Sequence, residues 1–594
     1  MAKILLQKIH DIQSYLYGGY KNTQETNTQW LSTFSFQFIE LFKMLQNHLS
    51  KEVNAENKYS FANQSFLLCA RQIMICIKYL EKTTRIENLN QITLITSRQC
   101  FFGRILWCLG RLQNTISSKV KNNNLNNEEC SFIDLLDDIL DSLQYFLKND
   151  EHNTSNKAER RANLMIESSK IEENVKELLS MAMTFCNISL EFDKRPLTVL
   201  SQKLFKIANE FKKEFSLADS NKNISSNNMK AIELENALCK LENFINDALL
   251  RLVYQTFNDI NSDPFKNLLE NMIDSDLEKI EIEKFDTLIE RFLLIGQFAI
   301  SFCKEDVKIS SVIRSCLASI ETLDSYLIPA ISSKTNDPSI EILKLHFFEE
   351  SLELQTHIHF IIDTKAFCES LIEQLIETEE KNKKEFNRSE LFQMIEHSNI
   401  LLTHFKVNST NLNLTTDKVL KFYFNDFKLI LKECEAILNY PEPIENFEKR
   451  VLKRFNILKN TIKKILSALK IKSNEFEDNK KAKEEEKINF DEEMLKSNYF
   501  NTIRPSALGS ILYHSKRSQK KEIPKLELKS LAKKSPAGKV SSKRNDSMRM
   551  AMFKKNQEFK IDLNDEEKTN NETDLHITEI LDQLSNLSIH IAKN

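Results

Sequence analysis

Glycine and proline are scarce in this chain of 594 residues, which holds seven and nine of them. β-Turns and phosphate-binding loops use glycine because it adopts positive φ without steric cost, so the composition disfavours sheets with tight turns and nucleotide-binding loops. The motifs GxxxxGK(S/T), GxGxxG, GxSxG and HExxH do not occur. We therefore predict a non-enzymatic protein with no catalytic residues, no cofactor, no metal and no small-molecule substrate.

Long apolar runs are also missing, because even SFLLCARQIMICIKYL is interrupted by Arg71, Gln72 and Lys78. A membrane-spanning helix needs about eighteen or more apolar residues in succession, and no window comes close. The eleven cysteines contain no CxxC pair, and the amino end does not resemble a secretory signal peptide. These features predict a reduced, intracellular protein that is not integral to a membrane.

Helical periodicity runs through most of the sequence. Trp30, Phe34 and Phe38 recur every four residues, and similar stripes continue to about residue 470 on segments longer than an average helix. Such long amphipathic segments are typical of antiparallel bundles. The fold class that we predict is all-α, with tandem antiparallel bundles of long helices.

Polar breaks and prolines between these segments suggest the domain boundaries. We expect a first bundle at 1–125, a second at 126–262 and a third at 263–472. A charged and basic segment at 473–572 has few large apolar residues and is predicted to be disordered. An apolar stripe returns at 573–594, which predicts a final amphipathic helix.

The stretch SRQCFFGRILWCLGRLQ, residues 97–113, holds two of the seven glycines and one of the two tryptophans. Helical spacing predicts two lines of side chains on it. The buried line is Phe101, Ile105, Cys108 and Leu112, and the second line is Gly103, Trp107 and Gly110. A helical glycine costs about 1 kcal/mol relative to alanine, so the second line needs an offsetting gain.

Close approach of another helix is the simplest such gain. Trp107 would then be the large filler, with Arg104 or Arg111 stacking nearby, and an undefined ligand or partner contact is the alternative. The aromatic residues Trp30, Phe34 and Phe38 are assigned to helix packing in the same way.

A second stretch, LHFFEESLELQTHIHF, places His346, Glu350, Glu353 and His357 at spacings of four, three and four. Carboxylate-bridged di-iron bundles need a Glu-x-x-His pair from each of two helices, and that spacing is absent here. We interpret these residues as a solvated charged face.

The basic segment carries a strong positive charge, since residues 503–560 contain sixteen Lys or Arg against four Asp or Glu. Anionic lipids or acidic filament surfaces are the partners that such a segment fits, and a solvated linker is the alternative. Aromatic residues for base stacking are sparse, which disfavours nucleic acid. The candidate contact residues are Lys516, Arg517, Lys520, Lys521, Lys533, Lys534, Lys543 and Arg544.

Three segments near the amino end carry a resemblance: TQWLSTFSFQFIELFKMLQNHL, CARQIMICIKYLEK and SRQCFFGRILWCLGRL. In order and spacing they resemble the insect serendipity locus protein alpha family, which is similar to the α-catenin and vinculin superfamily. RPLTVLSQKLFKIANEF is also similar to a vinculin-type helix that begins at a proline.

That resemblance implies a cytoplasmic, non-enzymatic protein of stacked helical bundles at the inner face of the plasma membrane. It implies a role in organising cortical actin filaments, directly or through an actin-associated protein, as furrows enclose the nuclei of the early embryo. The resemblance assigns no binding residue. A helical scaffold for trafficking or nuclear complexes is the main alternative, and an RNA-binding adaptor is a third.

Overall fold

Several helices of this protein begin where the local sequence supplies a capping side chain. The computed structural model describes residues 2–21, 28–52, 61–120, 131–147, 157–216, 224–270, 275–303, 306–333, 337–414, 416–440 and 446–491. Within these residues all regular structure is α-helical and no strand occurs. The prediction of an all-α fold is confirmed.

The described residues form sixteen helices. They are α1 (Ala2–Lys21), α2 (Thr28–Glu52), α3 (Phe61–Asn90), α4 (Ile95–Val120), α5 (Phe132–Leu147), α6 (Lys157–Ile188), α7 (Glu191–Ser216), α8 (Ile224–Asn261), α9 (Pro264–Glu270), α10 (Ser275–Phe302), α11 (Val307–Ser332), α12 (Ser339–Ile361), α13 (Thr364–Asn382), α14 (Arg388–Val407), α15 (Lys418–Asn439) and α16 (Phe447–Asp491).

Short polar side chains start several of these helices. Asp306 accepts hydrogen bonds from the amides of Lys308 and Ile309 at the start of α11, at 3.0 and 3.1 Å. Asn387 and Asp417 cap α14 and α15 in the same way. Each cap satisfies backbone donors that the helix itself leaves unpaired, a contribution of about 1 kcal/mol.

The chain forms two compact units, and the described residues of each unit come from two separate chain segments. In the first unit, helices α1 to α4 pack on one another, and α11 packs on α3, α4 and α10. This unit takes its residues from Met1–Glu129 and Asp259–Ile358. Its core includes Leu5, Phe38, Phe101, Ile105 and Ile320, all fully buried.

The second unit takes Cys130–Asn258 and the described helices from His359 onward. In it α5, α6 and α7 pack in sequence, and α13 to α16 form a bundle in which α16 contacts both α13 and α15. The ring of Tyr254 stacks on Phe367 at 4.0 Å, and the Tyr254 hydroxyl donates to the Phe367 carbonyl.

This division differs from the expected order of three consecutive bundles. The ends of the expected bundles at 1–125 and 126–262 lie close to unit boundaries, but the expected bundle at 263–472 is divided at Ile358. The reason is that α11 and α12 bury polar side chains against α3 and α4, a long-range pairing that local periodicity does not reveal.

Two further expectations are corrected. Helix α7 begins at Glu191, five residues before Pro196, so the proline lies inside the helix and does not start it. Helix α16 continues through Asp491, so the segment expected to be disordered at 473–572 begins as helix. Residues 492–594, including the expected helix at 573–594, lie outside the described residues.

The close approach of α1 to α2 depends on Gly19. A Cβ atom built there would lie 2.6 Å from Cε2 of Trp30, whose ring packs parallel to the rings of Tyr15 and Phe34 at centroid distances of 5.2 and 5.4 Å. The stacked ring has little room to move. At the adjacent Gly18, a Cβ atom would meet nothing within 4 Å.

We expect Gly19→Ala to lower the free energy of unfolding by about 1–3 kcal/mol, because overpacking outweighs the gain in helix propensity. Gly18→Ala is the matched control on the same helix and is expected to leave stability unchanged or slightly raised. Urea denaturation followed by circular dichroism measures both, and equal effects of the two changes would contradict this account of the α1–α2 contact.

Candidate functional site

The residues assigned to packing from the sequence separate into a buried group and an exposed group. Phe34, Phe38, Phe101 and Ile105 are fully buried, and Trp30 is half-buried against Tyr15 and Phe34. These side chains line the core of the first unit. Their assignment follows from helical spacing alone, since each lies three or four residues from another apolar side chain.

Gly103, Trp107 and Gly110 lie on the outer face of α4, away from that core. Trp107 is 53% exposed, and a Cβ atom at Gly110 would meet nothing within 4 Å. Gly103 faces the Tyr326 hydroxyl at 3.5 Å. Along this line a described helix therefore approaches only at Gly103, through Tyr326 of α11, and the expected close packing around Trp107 and Gly110 is not formed by the described residues. Arg111 does stack on Trp107, at 5.3 Å.

Arg104 points the other way, into the first unit, where it is 5% exposed. Its guanidinium donates to Gln72 Oε1 through Nε at 3.1 Å and to Ser319 Oγ through Nη2 at 2.6 Å. Its Nη1 lies 2.6 Å from His346 Nε2, which must accept because arginine only donates. Four helices, α3, α4, α11 and α12, therefore meet at one buried cation.

Gln72 joins the same cluster from α3. Its Nε2 donates to the carbonyl and the hydroxyl of Ser315 at 2.7 and 2.8 Å, and to Ser319 Oγ at 3.0 Å. Gln72 and Ser315 are 243 residues apart in sequence. We call Gln72, Arg104, Ser315, Ser319, His346 and Glu350 the buried polar cluster.

The two α12 members of the buried polar cluster, His346 and Glu350, respond to this burial. Burial, reinforced by the positive charge of Arg104, lowers the pKa of His346 well below its ordinary value, so the ring is neutral. Burial raises the pKa of Glu350 to about 7, and Arg104 opposes that rise. Glu350 is 4% exposed, and its Oε2 has no hydrogen-bond partner. Arg104 supplies the positive charge that a buried carboxylate needs.

Glu353 and Cys316 lie beside the cluster. Sγ of Cys316 and one carboxylate oxygen each of Glu350 and Glu353 lie within 4.8 Å of one another, which is within reach of a divalent cation. Arg71 already pairs with Glu353, and the positive charges of Arg104 and Arg71 both act on Glu350. Burial and the two carboxylates raise the pKa of the Cys316 thiol, whereas a metal ligand must be a thiolate. The residues thus fit an ion-pair network better than a metal site.

This arrangement corrects the interpretation of LHFFEESLELQTHIHF as a solvated charged face. His346 is fully buried, Glu350 is nearly so, and Glu353 pairs with an arginine of another helix. Spacing within α12 could not show this, because the partners lie on α3, α4 and α11. The sequence contains one indication of this burial, because Arg71 and Gln72 interrupt an otherwise apolar stretch of α3.

The second unit contains a histidine cluster of its own. Thr364 Oγ1 lies 2.9 Å from His404 Nε2, and Asn408 Nδ2 donates to the His359 carbonyl at 2.9 Å. Burial lowers the pKa of His359 to about 3 and that of His397 to about 4. His397 is held by Gln374, whose Oε1 accepts from Nδ1 at 2.9 Å.

The candidate surface residues of the basic segment all fall beyond Asp491. Lys516, Arg517, Lys520, Lys521, Lys533, Lys534, Lys543 and Arg544 therefore lie outside the described residues, and their role remains a prediction from sequence. Within the described helices, none has both the length and the apolar character needed to cross a bilayer.

The fold defines the class of this protein first. It is a vinculin-like helical-bundle protein, because the structure matches a solved vinculin homolog from a sponge (phylum Porifera) with a TM-score of 0.51. The match covers 79% of this chain at 11% sequence identity, a level at which fold alone is shared. The chain spans 59% of the length of that sponge protein.

The family follows from the sequence. The family model described as Serendipity locus alpha protein (SRY-A) matches residues 2–581, and the chain belongs to this family. It is 30% identical over 451 residues to Serendipity locus protein alpha of Drosophila virilis, covering 73% of this chain and 82% of the relative. The protein of the same name from Drosophila subobscura is 30% identical over 455 residues, covering 74% and 80%. The resemblance read from the amino-terminal segments is confirmed.

Removing the buried cation tests the polar cluster. We expect Arg104→Met to lower the free energy of unfolding by about 3–5 kcal/mol, because Glu350 loses the charge of Arg104 and Oε1 of Gln72 loses its donor. Arg111→Met, on the half-exposed side of the same helix, is expected to cost under about 1 kcal/mol. Adding Glu350→Gln to Arg104→Met should restore part of the loss in urea denaturation. Equal losses for the two arginine variants would contradict the account.

The buried histidines predict a pH dependence. His397 has a folded pKa of about 4, below its ordinary 6.5, so the unfolded chain binds the extra proton and stability falls as pH drops from 6.5 toward 4. We expect His397→Gln to remove roughly 3 kcal/mol of that fall, measured by urea denaturation across this range. His10→Gln, at an exposed site on α1, is the control. An unchanged pH slope in His397→Gln would contradict the prediction.

Proposed function

We propose that this protein is a non-enzymatic organiser of cortical actin filaments at the inner face of the plasma membrane during cellularisation of the early embryo. Membership in the Serendipity alpha family across residues 2–581 is the observation that carries the proposal. The vinculin-like fold supports it, since the sponge homolog of similar fold is described in connection with vertebrate-like cell adhesions. By the same reasoning, we propose that the protein is cytoplasmic and lies at the cell cortex.

The architecture supports a stoichiometric role. Buried polar groups in both units hold helices together, and Glu353 of α12 pairs with Arg71 of α3. Rigid bundles set distances and present surfaces to partners, without turnover of a substrate. The partners in this proposal are actin filaments or an actin-associated protein, together with anionic lipids of the inner leaflet.

The basic segment adds a further contact in this proposal. Its lysines and arginines between 503 and 560 fit acidic filament surfaces or anionic headgroups, by charge alone. A helical scaffold for trafficking or nuclear complexes, without direct actin binding, is the second candidate. The same rigid units would serve it equally well, so binding measurements must separate the two.

Actin co-sedimentation separates them. We expect the full chain to pellet with filaments, and a truncation after Asp491, which keeps every described helix, to retain binding if the bundles make the contact. The matched variant is the full chain with Lys516, Lys520 and Lys521 each changed to Glu, which tests the basic segment without shortening the chain. Absence of binding by the full chain, with its secondary structure intact by circular dichroism, would favour the scaffold.

A further inference from the structure

Helix α15 has a buried face and an opposite face on which large apolar side chains are exposed. Its buried side chains are Leu420, Phe427, Leu431, Cys434 and Leu438. On the other side Phe422 and Leu429 are each 60% exposed, and Val419 is 55% exposed. Phe422 and Leu429 are seven residues apart and therefore lie on one line along the helix.

Single exposed apolar residues are ordinary, but a phenylalanine and a leucine aligned on the outer face of one helix form a surface. Their exposure shows that none of the described helices flanks them closely enough to make a groove. The surface is the ridge of one helix. A helical partner normally binds in a groove between helices. The protruding face of a single helix is better suited to a flat partner surface.

Positive charge borders the ridge on one side. Lys421, Lys428 and Lys432 are exposed and follow one another at spacings of seven and four, beside the line of Phe422 and Leu429. Lys418, also exposed, lies near its amino-terminal end. Long lysine side chains can lay their stems along apolar surface while the ammonium group reaches anionic oxygens.

The other side of the ridge carries both signs. Glu433 is paired with Arg454 of α16 at 2.7 Å, and Lys464 of α16 lies 6.0 Å above the ring of Tyr423. Asp426 is half-buried on this side, and Glu435 follows the lysine line at its carboxyl end. Around Phe422 the exposed Lys418 and Lys421 outnumber the half-buried Asp426, so positive charge predominates there.

We propose that this face of α15 is a membrane-contact surface, which lies on anionic lipid headgroups with Phe422 and Leu429 inserted at the boundary of the acyl chains. The inference rests on the proposed function, because it assigns the main part of that membrane association to a bundle helix and the smaller part to the basic segment. Apolar insertion and electrostatic attraction to anionic lipid act together in such contacts.

Vesicle co-sedimentation with the full chain tests this surface. Mixed vesicles of phosphatidylserine and phosphatidylcholine are compared with phosphatidylcholine alone, and the protein without vesicles corrects for aggregation. We expect the wild-type chain to bind the mixed vesicles preferentially. Lys421→Glu, Lys428→Glu and Lys432→Glu together should weaken that binding about a hundredfold, since three lysines near an anionic surface together contribute about 3 kcal/mol. Phe422→Ser with Leu429→Ser should weaken it by a similar factor.

Two control variants carry the same three Lys→Glu changes at other sites, and they test whether the effect is specific to α15. Lys203→Glu, Lys206→Glu and Lys240→Glu change three exposed lysines elsewhere in the second unit, and Lys516→Glu, Lys520→Glu and Lys521→Glu change three in the basic segment. Both are expected to retain most of the binding. The proposal is overturned if wild type shows no preference for phosphatidylserine, if the α15 variants bind like wild type, or if only the basic-segment variant loses binding.

Actin co-sedimentation of the same α15 variants keeps the two proposals apart. Unchanged filament binding together with lost vesicle binding supports a separate lipid surface. If the wild-type chain binds vesicles through α15 but does not bind actin, the proposed actin role is contradicted and the proposed membrane-contact surface is not.

Discussion

The first unit depends on the burial of one positive charge. Arg104 lies among four helices, and its donors are shared between Gln72, Ser319 and His346. A guanidinium removed from water is tolerated only when nearly all its donors are paired and a counter-charge is near. The carboxyl group of Glu350 on α12 favours the charged form of Arg104 electrostatically. The packing of α3, α4, α11 and α12 must satisfy these contacts together, which favours one register over its neighbours.

A polar cluster of this kind adds specificity that apolar contacts lack. Leucine and phenylalanine faces can slide by a helical turn and remain buried, whereas a misplaced Arg104 would lose each of its hydrogen bonds. The histidine cluster of the second unit has a similar composition, with Thr364, His404 and Asn408 linking α12, α13 and α14. Both clusters unite helices whose outer faces remain available for partners.

The all-α fold and the family could be predicted because helical periodicity and the scarcity of glycine are local properties. Phe34, Phe38 and Phe101 were placed in the core by spacing alone. Trp107 was misplaced because spacing shows which residues share a face but not which face meets solvent. His346 and Glu350 were misread for a related reason: the arginine that makes their burial possible is distant in sequence. The division of 263–472 between units has the same origin.

The first unit combines chain segments that are distant in sequence, and this has a consequence for its synthesis on the ribosome. Ser315 leaves the ribosome 243 residues after Gln72, a delay on the order of tens of seconds at typical elongation rates. During that interval α4 exists with Arg104 lacking its serine and histidine partners, while the first half of the other unit is being made. Nascent chains therefore pass through a stage in which α1 to α4 await their partners, and chaperone engagement is most valuable there.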